Sequence, residues 1–209
     1  MRARVDHLLW AVPDLDAGVA LFRELTGIEA AVGGAHEGFG TRNRLLSLGD
    51  GVYFEIIAPD PAQRLQDNLG ARIAAMAQPQ LMSFALRSDD LAGVCDAARG
   101  AGLTVAEPVS MGRTRPDGVR LDWSILYLSD ARWPDRLPFV IDWKESPHPA
   151  DSTPGGCLLK DFCVLEPDPE PLTKVYQAIG VDVPVRRATR PGLLAVLETP
   201  RGDVVFLGP

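Results

Sequence analysis

Three stretches of this chain repeat one plan: an apolar run, an acidic helix start, and an amphipathic segment closed by glycine. VDHLLWAVPDLDAGVALFRELTG begins at residue 5, LMSFALRSDDLAGVCDAARGAGL spans 81 to 103, and GCLLKDFCVLEPDPEPLTKVYQAIGV lies in the region from 155 onward. VPDLD, RSDDLA and EPDPEPL open a helix; TGIEA, AGLTV and IGVDV leave one. Repetition at about 75-residue spacing constrains the architecture more than any single strand does. In the first unit the apolar run reads as a strand. His7 shares a face with Leu9 and Ala11, while Leu8, Trp10 and Val12 point the other way. Pro13 ends the strand because it cannot donate to a ladder. Asp14 is a helix N-cap, Leu15, Val19, Phe22 and Leu25 form the apolar stripe, and Gly27 is the stop.

After this helix comes a Gly-rich corner, GGAHEGFGT at 33 to 41, then RNRLLSLG and VYFEIIAP, two strand-like runs on either side of Asp50-Gly51. Asp-Gly between apolar runs is a hairpin signal. The unit is therefore strand, helix, strand, strand, strand, ending near Pro59. A helical insert is expected next, with Leu65, Leu69, Ile73 and Met76 on one stripe. VRLDWSILYLS and LPFVIDW supply strands of the second unit. LLAVLETPRGDVVFLGP closes the third with a hairpin around Pro200-Arg201-Gly202-Asp203. The expected class is α+β, built of repeated βαβββ modules with curved mixed sheets and helices outside. The division expected is residues 1–150 as two modules, about 1–60 and 80–145 with the helical insert between, and 155–209 as a third, shorter unit. The repetition leaves open whether that third unit pairs with another or folds back.

The 209 residues suffice for one large domain or two small ones with a real core. Hydrophobic residues at 46% and charged residues at 23% are those of an ordinary soluble protein. A formal charge of −7 argues against nucleic acid or an anionic membrane as partner. No apolar run reaches the roughly 18 residues of a membrane span. MRARVDH enters a strand without an apolar signal core, so a cytoplasmic location is expected. Cys95, Cys157 and Cys163 are odd in number and lack metal-type spacing, which suits reduced, mostly buried thiols. There is no GxSxG elbow, no phosphate loop and no dinucleotide fingerprint.

The opening VDHLLWAVPDLDAGVALFRELTG, the GGxHxGxGTxN stretch at 33 to 43, DGVYFEII at 50 to 57, RTRPDGVRLDW at 113 to 123 and LPFVIDWKESPHP at 137 to 149 together resemble the glyoxalase-like branch of the vicinal oxygen chelate superfamily. The resemblance covers roughly the first 150 residues. It implies paired βαβββ modules whose curved sheets form an open cup, and a divalent metal in that cup acting on a substrate through two adjacent oxygens. It places a metal-binding histidine on the first strand of a module, here His7, and a carboxylate on the last, here Glu55. Tyr53, Glu55 and Ile57 share a face. Neutral imidazole and carboxylate suit Zn²⁺, Mn²⁺, Ni²⁺ or Fe²⁺.

The second module departs from the pattern: Ser83 stands where His7 does, and Asp142 or Ile141 is the counterpart of Glu55. In the third unit Asp161 falls opposite His7. His36, from the Gly-rich corner, is an inferred third ligand. Glu55 and His36 are the catalytic candidates, and Thr41, Asn43, Trp123, Trp143 and Arg113 the substrate contacts. Arg113 and Arg115 precede a turn at Pro116-Asp117-Gly118 and are solvated unless the substrate is an anion. His148, between prolines, reads as a rim residue. The partner is a small molecule, with room for a homodimer. The function read here is a metal-dependent lyase, isomerase or dioxygenase acting on a small oxygenated substrate. The alternatives are a metal-free binding or sequestering protein using the same cup, and an accessory protein whose cup has lost its chemistry.

Overall fold

The computed structural model describes residues 3–115 and 118–209. The first unit consists of β1 (Arg4–Ala11), α1 (Leu15–Thr26), β2 (Ala31–His36), β3 (Thr41–Ser47) and β4 (Tyr53–Pro59). A short helix, α2 (Leu69–Ala74), leads to the second unit: β5 (Gln80–Arg87), α3 (Leu91–Gly100), β6 (Thr104–Val105), β7 (Val109–Thr114), β8 (Arg120–Ser129) and β9 (Phe139–Asp142). A single 3₁₀ turn at Pro149–Asp151 precedes β10 (Leu158–Glu166), α4 (Pro169–Ala178), β11 (Val185–Arg187), β12 (Gly192–Thr199) and β13 (Gly202–Gly208). The mixed α+β class and the open curved sheets expected from the sequence are present.

The first two units share one nine-stranded sheet, ordered β2-β3-β4-β1-β5-β9-β8-β6, with β7 also paired to β8. In each unit the first strand lies parallel to the last, β1 on β4 and β5 on β9. The units join antiparallel through β1 and β5. The third unit forms a separate sheet, β11-β10-β12-β13. There the crossover strand β11 sits directly beside β10, the place the last strand takes in the other two units. The turn expected at Pro116-Asp117-Gly118 has its first two residues outside the described ones.

Local chemistry explains the helices. Asp14 accepts from the Ala17 amide at 2.8 Å, and Gly27 closes α1 in the left-handed region at φ 79°. Asp90 caps α3 in the same way through Gly93. Asp168 makes no such bond, and α4 instead starts on Pro169, whose fixed φ suits a first turn. The Asp50-Gly51 turn carries both residues at positive φ, 50° and 72°, as a tight hairpin requires. The insert helix is shorter than its apolar stripe predicted. Asn68 caps it, Ile73 is buried, and Leu65 lies before it and is exposed.

Alternation along β1 sorts the chain into two environments. Leu8, Trp10 and Val12 enter the main core with Phe22 of α1 and Phe54 and Ile56 of β4. That core extends into the third unit: Phe206 of β13 lies 5.3 Å from Trp10 and 4.9 Å from Phe54 between ring centroids. Full burial of a ring such as Phe22 contributes roughly 1.5–3 kcal/mol. Leu25, expected on the buried stripe, is exposed, because α1 turns only its Leu15–Gly18–Phe22 edge inward. The other face of β1 carries His7 and Leu9 into a cavity. The small sheet and helices α1, α3 and α4 pack on the outer face of the large sheet, while α2 sets Leu69 and Ile73 against Leu9, Ala11 and Ile57 at the edge of the inner face.

Candidate functional site

The inner face encloses a cavity of about 700 Å³. His7, Glu55, His36, Thr41, Asn43, Arg113, Trp123 and Trp143 all line it. The strands bring them together through register. β1 pairs with β4 so that Leu9 stands opposite Glu55, which sets His7 and Glu55 on the same face of neighbouring strands. β3 adds Asn43 and Thr41 from the other side of β4. The hairpin between β2 and β3 opposes His36 to Thr41, with Gly38 and Gly40 at positive φ in the loop between them.

The polar end is a connected set of hydrogen bonds. Asn43 Nδ2 donates to Glu55 Oε1 at 2.7 Å and lies 3.3 Å from His36 Nε2. An amide nitrogen only donates, so His36 Nε2 accepts, and the proton of its neutral ring sits on Nδ1, which faces Thr41 Oγ1 at 2.9 Å. Burial lowers the His36 pKa, Glu55 opposes that shift, and Arg113 and His7 add to it. His7 Nε2 lies 3.5 Å from Glu55 Oε2, and the His7 ring stacks on Tyr53 at 4.3 Å. Burial raises the Tyr53 pKa, and the Asp6 and Glu55 carboxylates raise it further.

One member of this set escaped the sequence reading. Asp6 has no exposed surface. Its Oδ1 lies 2.6 Å from His7 Nδ1, and its Oδ2 receives Trp143 Nε1 at 3.1 Å and His148 Nε2 at 2.9 Å. Strict alternation would turn Asp6 away from His7. The ladder to β5 shifts between Val5 and His7, and this bulge at Asp6 breaks the alternation. His148 is therefore no rim residue. It is buried, its Nδ1 accepts the Ala150 amide, and its Nε2 proton goes to Asp6. Burial alone would raise the Asp6 pKa. The hydrogen bonds and charges of His148 and His7 outweigh it and hold the carboxyl well below the usual range. An ionised Asp6 fixes His7 with its proton on Nδ1, so that Nε2 faces Glu55 and the cavity.

The register also corrects the counterpart of Glu55 in the second unit. Superposing the N-caps, Asp14 on Asp90, carries His7 onto Ser83 and Leu9 onto Ala85. Ala85 pairs with Phe139 on β9, so Phe139, and not Ile141 or Asp142, occupies the place of Glu55. Its ring meets that of His7 edge-on at 5.5 Å. Asp161 is engaged elsewhere, on Arg186 in the third unit. No ion pair joins Glu55 to Arg42 or Arg44 among the described residues, since Asn43 takes that role.

These donors meet the metal expectation in part. Two ligands on one ion stand roughly 3.4 Å apart at ordinary bond lengths and a tetrahedral angle. His7 Nε2 and Glu55 Oε2, 3.5 Å apart, satisfy that. His36 Nε2 is 3.8 Å from Glu55 Oε1, but its lone pair is engaged by the Asn43 amide. Among the described residues no group of three or more His, Cys, Asp or Glu side chains could hold an ion. His7 and Glu55 fit a two-donor site, and the three-ligand set that added His36 finds no support among the described residues.

The remaining wall is apolar. Trp123 and Trp143 lie 5.4 Å apart between ring centroids, and Leu9, Ile57, Met82, Ile125, Phe139 and Ile141 continue the surface. No helix among the described residues is long and apolar enough to cross a membrane.

A family model described as a glyoxalase-like domain matches residues 5–180. No curated protein matches the sequence. Among solved structures, a hypothetical protein from Staphylococcus aureus superposes with a TM-score of 0.66 at 16% identity, over 98% of this chain and 85% of that one. A variant of Streptomyces coelicolor methylmalonyl-CoA epimerase in complex with 2-nitronate-propionyl-CoA gives 0.50 at 21% identity, over 68% of this chain and 98% of the other. A variant of 4-hydroxymandelate synthase from Streptomyces coelicolor gives 0.50 at 18% identity, over 99% of this chain and 62% of the other. At these identities the structures speak for the fold, and the family match speaks for the lineage that the paired modules and the His7 and Glu55 positions already suggested. The chain belongs to the glyoxalase-like domain family.

Proposed function

We propose that this protein is an enzyme that moves a proton on a small oxygenated organic substrate bound in the cup, with the His7–Glu55 pair as acid and base. The observation that carries the reading is the buried chain from Asp6 through His7 to Glu55, which ends at the cavity. An aspartate that fixes one nitrogen of a histidine leaves the other set for proton transfer. The step removes a proton from a carbon next to a carbonyl. The C–H electron pair moves onto the carbonyl oxygen, the His7–Glu55 pair holds the proton, and return of a proton to carbon completes the exchange. Asn43 orients Glu55, and His36 donates to Thr41, whose hydroxyl proton is left to meet a substrate oxygen. The apolar wall excludes water from the reacting carbon. Two of the three fold neighbours named above are enzymes, an epimerase and a synthase.

Incubating the protein in D₂O with a panel of 2-oxo acids, 2-hydroxy acids and acyl thioesters, and reading deuterium at carbon by NMR, tests this. Exchange that is lost in both Glu55→Gln and His7→Gln is expected. No exchange with any member, or exchange that survives both changes, contradicts it. Ligand binding without exchange would leave the cup as that of a binding protein.

A second reading keeps a divalent ion between His7 Nε2 and Glu55 Oε2. It is favoured by the hold of Asp6 on His7, the usual arrangement behind a ligating histidine. An ion there would polarise a substrate oxygen. Zn²⁺, Mn²⁺, Ni²⁺ or Fe²⁺ at 100 times its dissociation constant would then stabilise the fold by about 2.7 kcal/mol. Unchanged melting across all four ions decides against this reading.

A further inference from the structure

Arg113 is a cation with one guanidinium nitrogen left without a partner among the described residues. It stands on β7, at one end of the large sheet, and its guanidinium lines the cavity. Nη1 is buried without a hydrogen-bond partner. Burial lowers the Arg113 pKa, and the Glu55 carboxylate opposes that shift, so the group stays charged. Glu55 does not pair with it directly. One Glu55 oxygen accepts from Asn43 and the other faces His7. Burying a charged donor without an acceptor costs free energy that an anionic ligand would recover.

The surroundings are shaped for this side chain. The curled sheet brings β2, its opposite edge, against the guanidinium. Gly34 on β2 has a φ of 155°, and a Cβ there would lie 2.7 Å from Arg113 Nη1. A residue with a side chain at 34 would push the guanidinium out of place. The only other arginine on the cavity wall, among the described residues, is Arg72, and it is paired with Asp135 at 3.3 Å. A single arginine without a carboxylate partner on this wall suits a monoanion. A phosphate dianion would meet Glu55, Asp130 and Asp135 on the same wall with too little positive charge to offset them. Beyond the fork the wall is apolar, with Trp123, Ile125 and Phe139.

From this arrangement we infer that the cup takes a monocarboxylate with an aromatic or branched apolar body. The carboxylate is held by the fork of Arg113, and the body lies on Trp123, Ile125 and Phe139. The inference deepens the proton-transfer reading, on which its placement of the reacting carbon beside the His7–Glu55 pair rests. The carboxylate recognition itself is measured without turnover.

The test is calorimetric titration of the full chain with 4-phenylbutyrate and with its neutral amide, 4-phenylbutyramide. The acid is expected to bind at least about tenfold more tightly than the amide, the usual worth of one charge-assisted fork. Arg113→Gln should erase that preference by weakening the acid alone, and Arg113→Lys should restore part of it. Gly34→Ala keeps the charge but displaces it, and should also weaken the acid selectively; melting curves identify a variant that fails to fold. Equal binding of acid and amide, an unchanged preference in Arg113→Gln, or no binding of either compound overturns the inference. Acid binding that depends on Arg113 without deuterium exchange would sink proton transfer alone. Exchange confined to neutral substrates would sink carboxylate recognition alone.

Discussion

Asp6→Asn puts the buried network under direct strain. The wild-type carboxylate has no exposed surface and accepts three donors, from His7, Trp143 and His148. Asparagine keeps one acceptor oxygen and replaces the other with a donor. Whichever way the amide turns, an N–H group faces a ring N–H. If the oxygen stays on the Oδ2 side, His7 loses its acceptor; if it turns to His7, Trp143 and His148 both lose theirs. Each buried donor left without a partner costs about 1–3 kcal/mol. Burying an amide in place of a charge returns part of that cost. A net loss of about 3 kcal/mol follows, and for a chain of this size each kcal/mol lowers the melting temperature by about 2–4 °C. The expected drop is therefore about 6–12 °C by calorimetry at neutral pH. His7 has one escape, which is to move its proton to Nε2 and accept from the new amide. ¹⁵N-resolved histidine NMR would show that move, and proton exchange on substrate would fall with it. A drop below about 2 °C with an unmoved His7 proton would refute the reasoning that Asp6 anchors the site.

Gly33→Ala would place a Cβ 2.0 Å from Asn43 Oδ1, so it should cost about 1–3 kcal/mol in urea unfolding and loosen Glu55; an unperturbed Asn43 amide resonance would contradict this. Ser83→His with Phe139→Glu would rebuild in the second unit the pair that the first carries, and Zn²⁺ should raise the melting temperature of this double variant far more than that of wild type. Equal responses would refute the equivalence of Phe139 and Glu55. His36 has a lowered pKa in the fold, whereas the unfolded chain titrates near 6.5. Below that pH the unfolded state binds a proton that the folded state refuses. Stability should therefore fall as pH drops from about 6.5, and His36→Gln should flatten that part of the curve. The lowered Asp6 pKa adds a second loss below about pH 4.

The elements that followed local rules were legible in the sequence. Strand parity put His7 and Glu55 on one face, the capping aspartates marked α1 and α3, and the Gly-rich corner marked where His36, Thr41 and Asn43 gather, though not that it is a hairpin. What depended on register or curvature was not. Asp6 reads as a residue of the opposite face until the bulge in β1 is known. Phe139 cannot be told from Ile141 or Asp142 as a counterpart of Glu55 until the β5–β9 pairing is seen. β7 carries too few apolar residues to register as a strand, and Arg113, a substrate contact in the sequence reading, has a role there only if the substrate is an anion. It lines the site because the sheet curls its edges together, and no local pattern encodes that approach. His148 reads as a rim residue for the same reason: Asp6, its acceptor, lies 142 positions away in the chain.

The role given to Asp6, His7 and Glu55 rests on where one proton sits. Histidine ¹⁵N NMR of the wild-type protein at neutral pH locates it. The expected spectrum has His7 protonated on Nδ1, where Asp6 lies 2.6 Å away, with the Nε2 resonance displaced in Glu55→Gln and the Nδ1 proton retained. A neutral His7 protonated on Nε2 and bare on Nδ1, or a Nε2 resonance indifferent to Glu55→Gln, would contradict it.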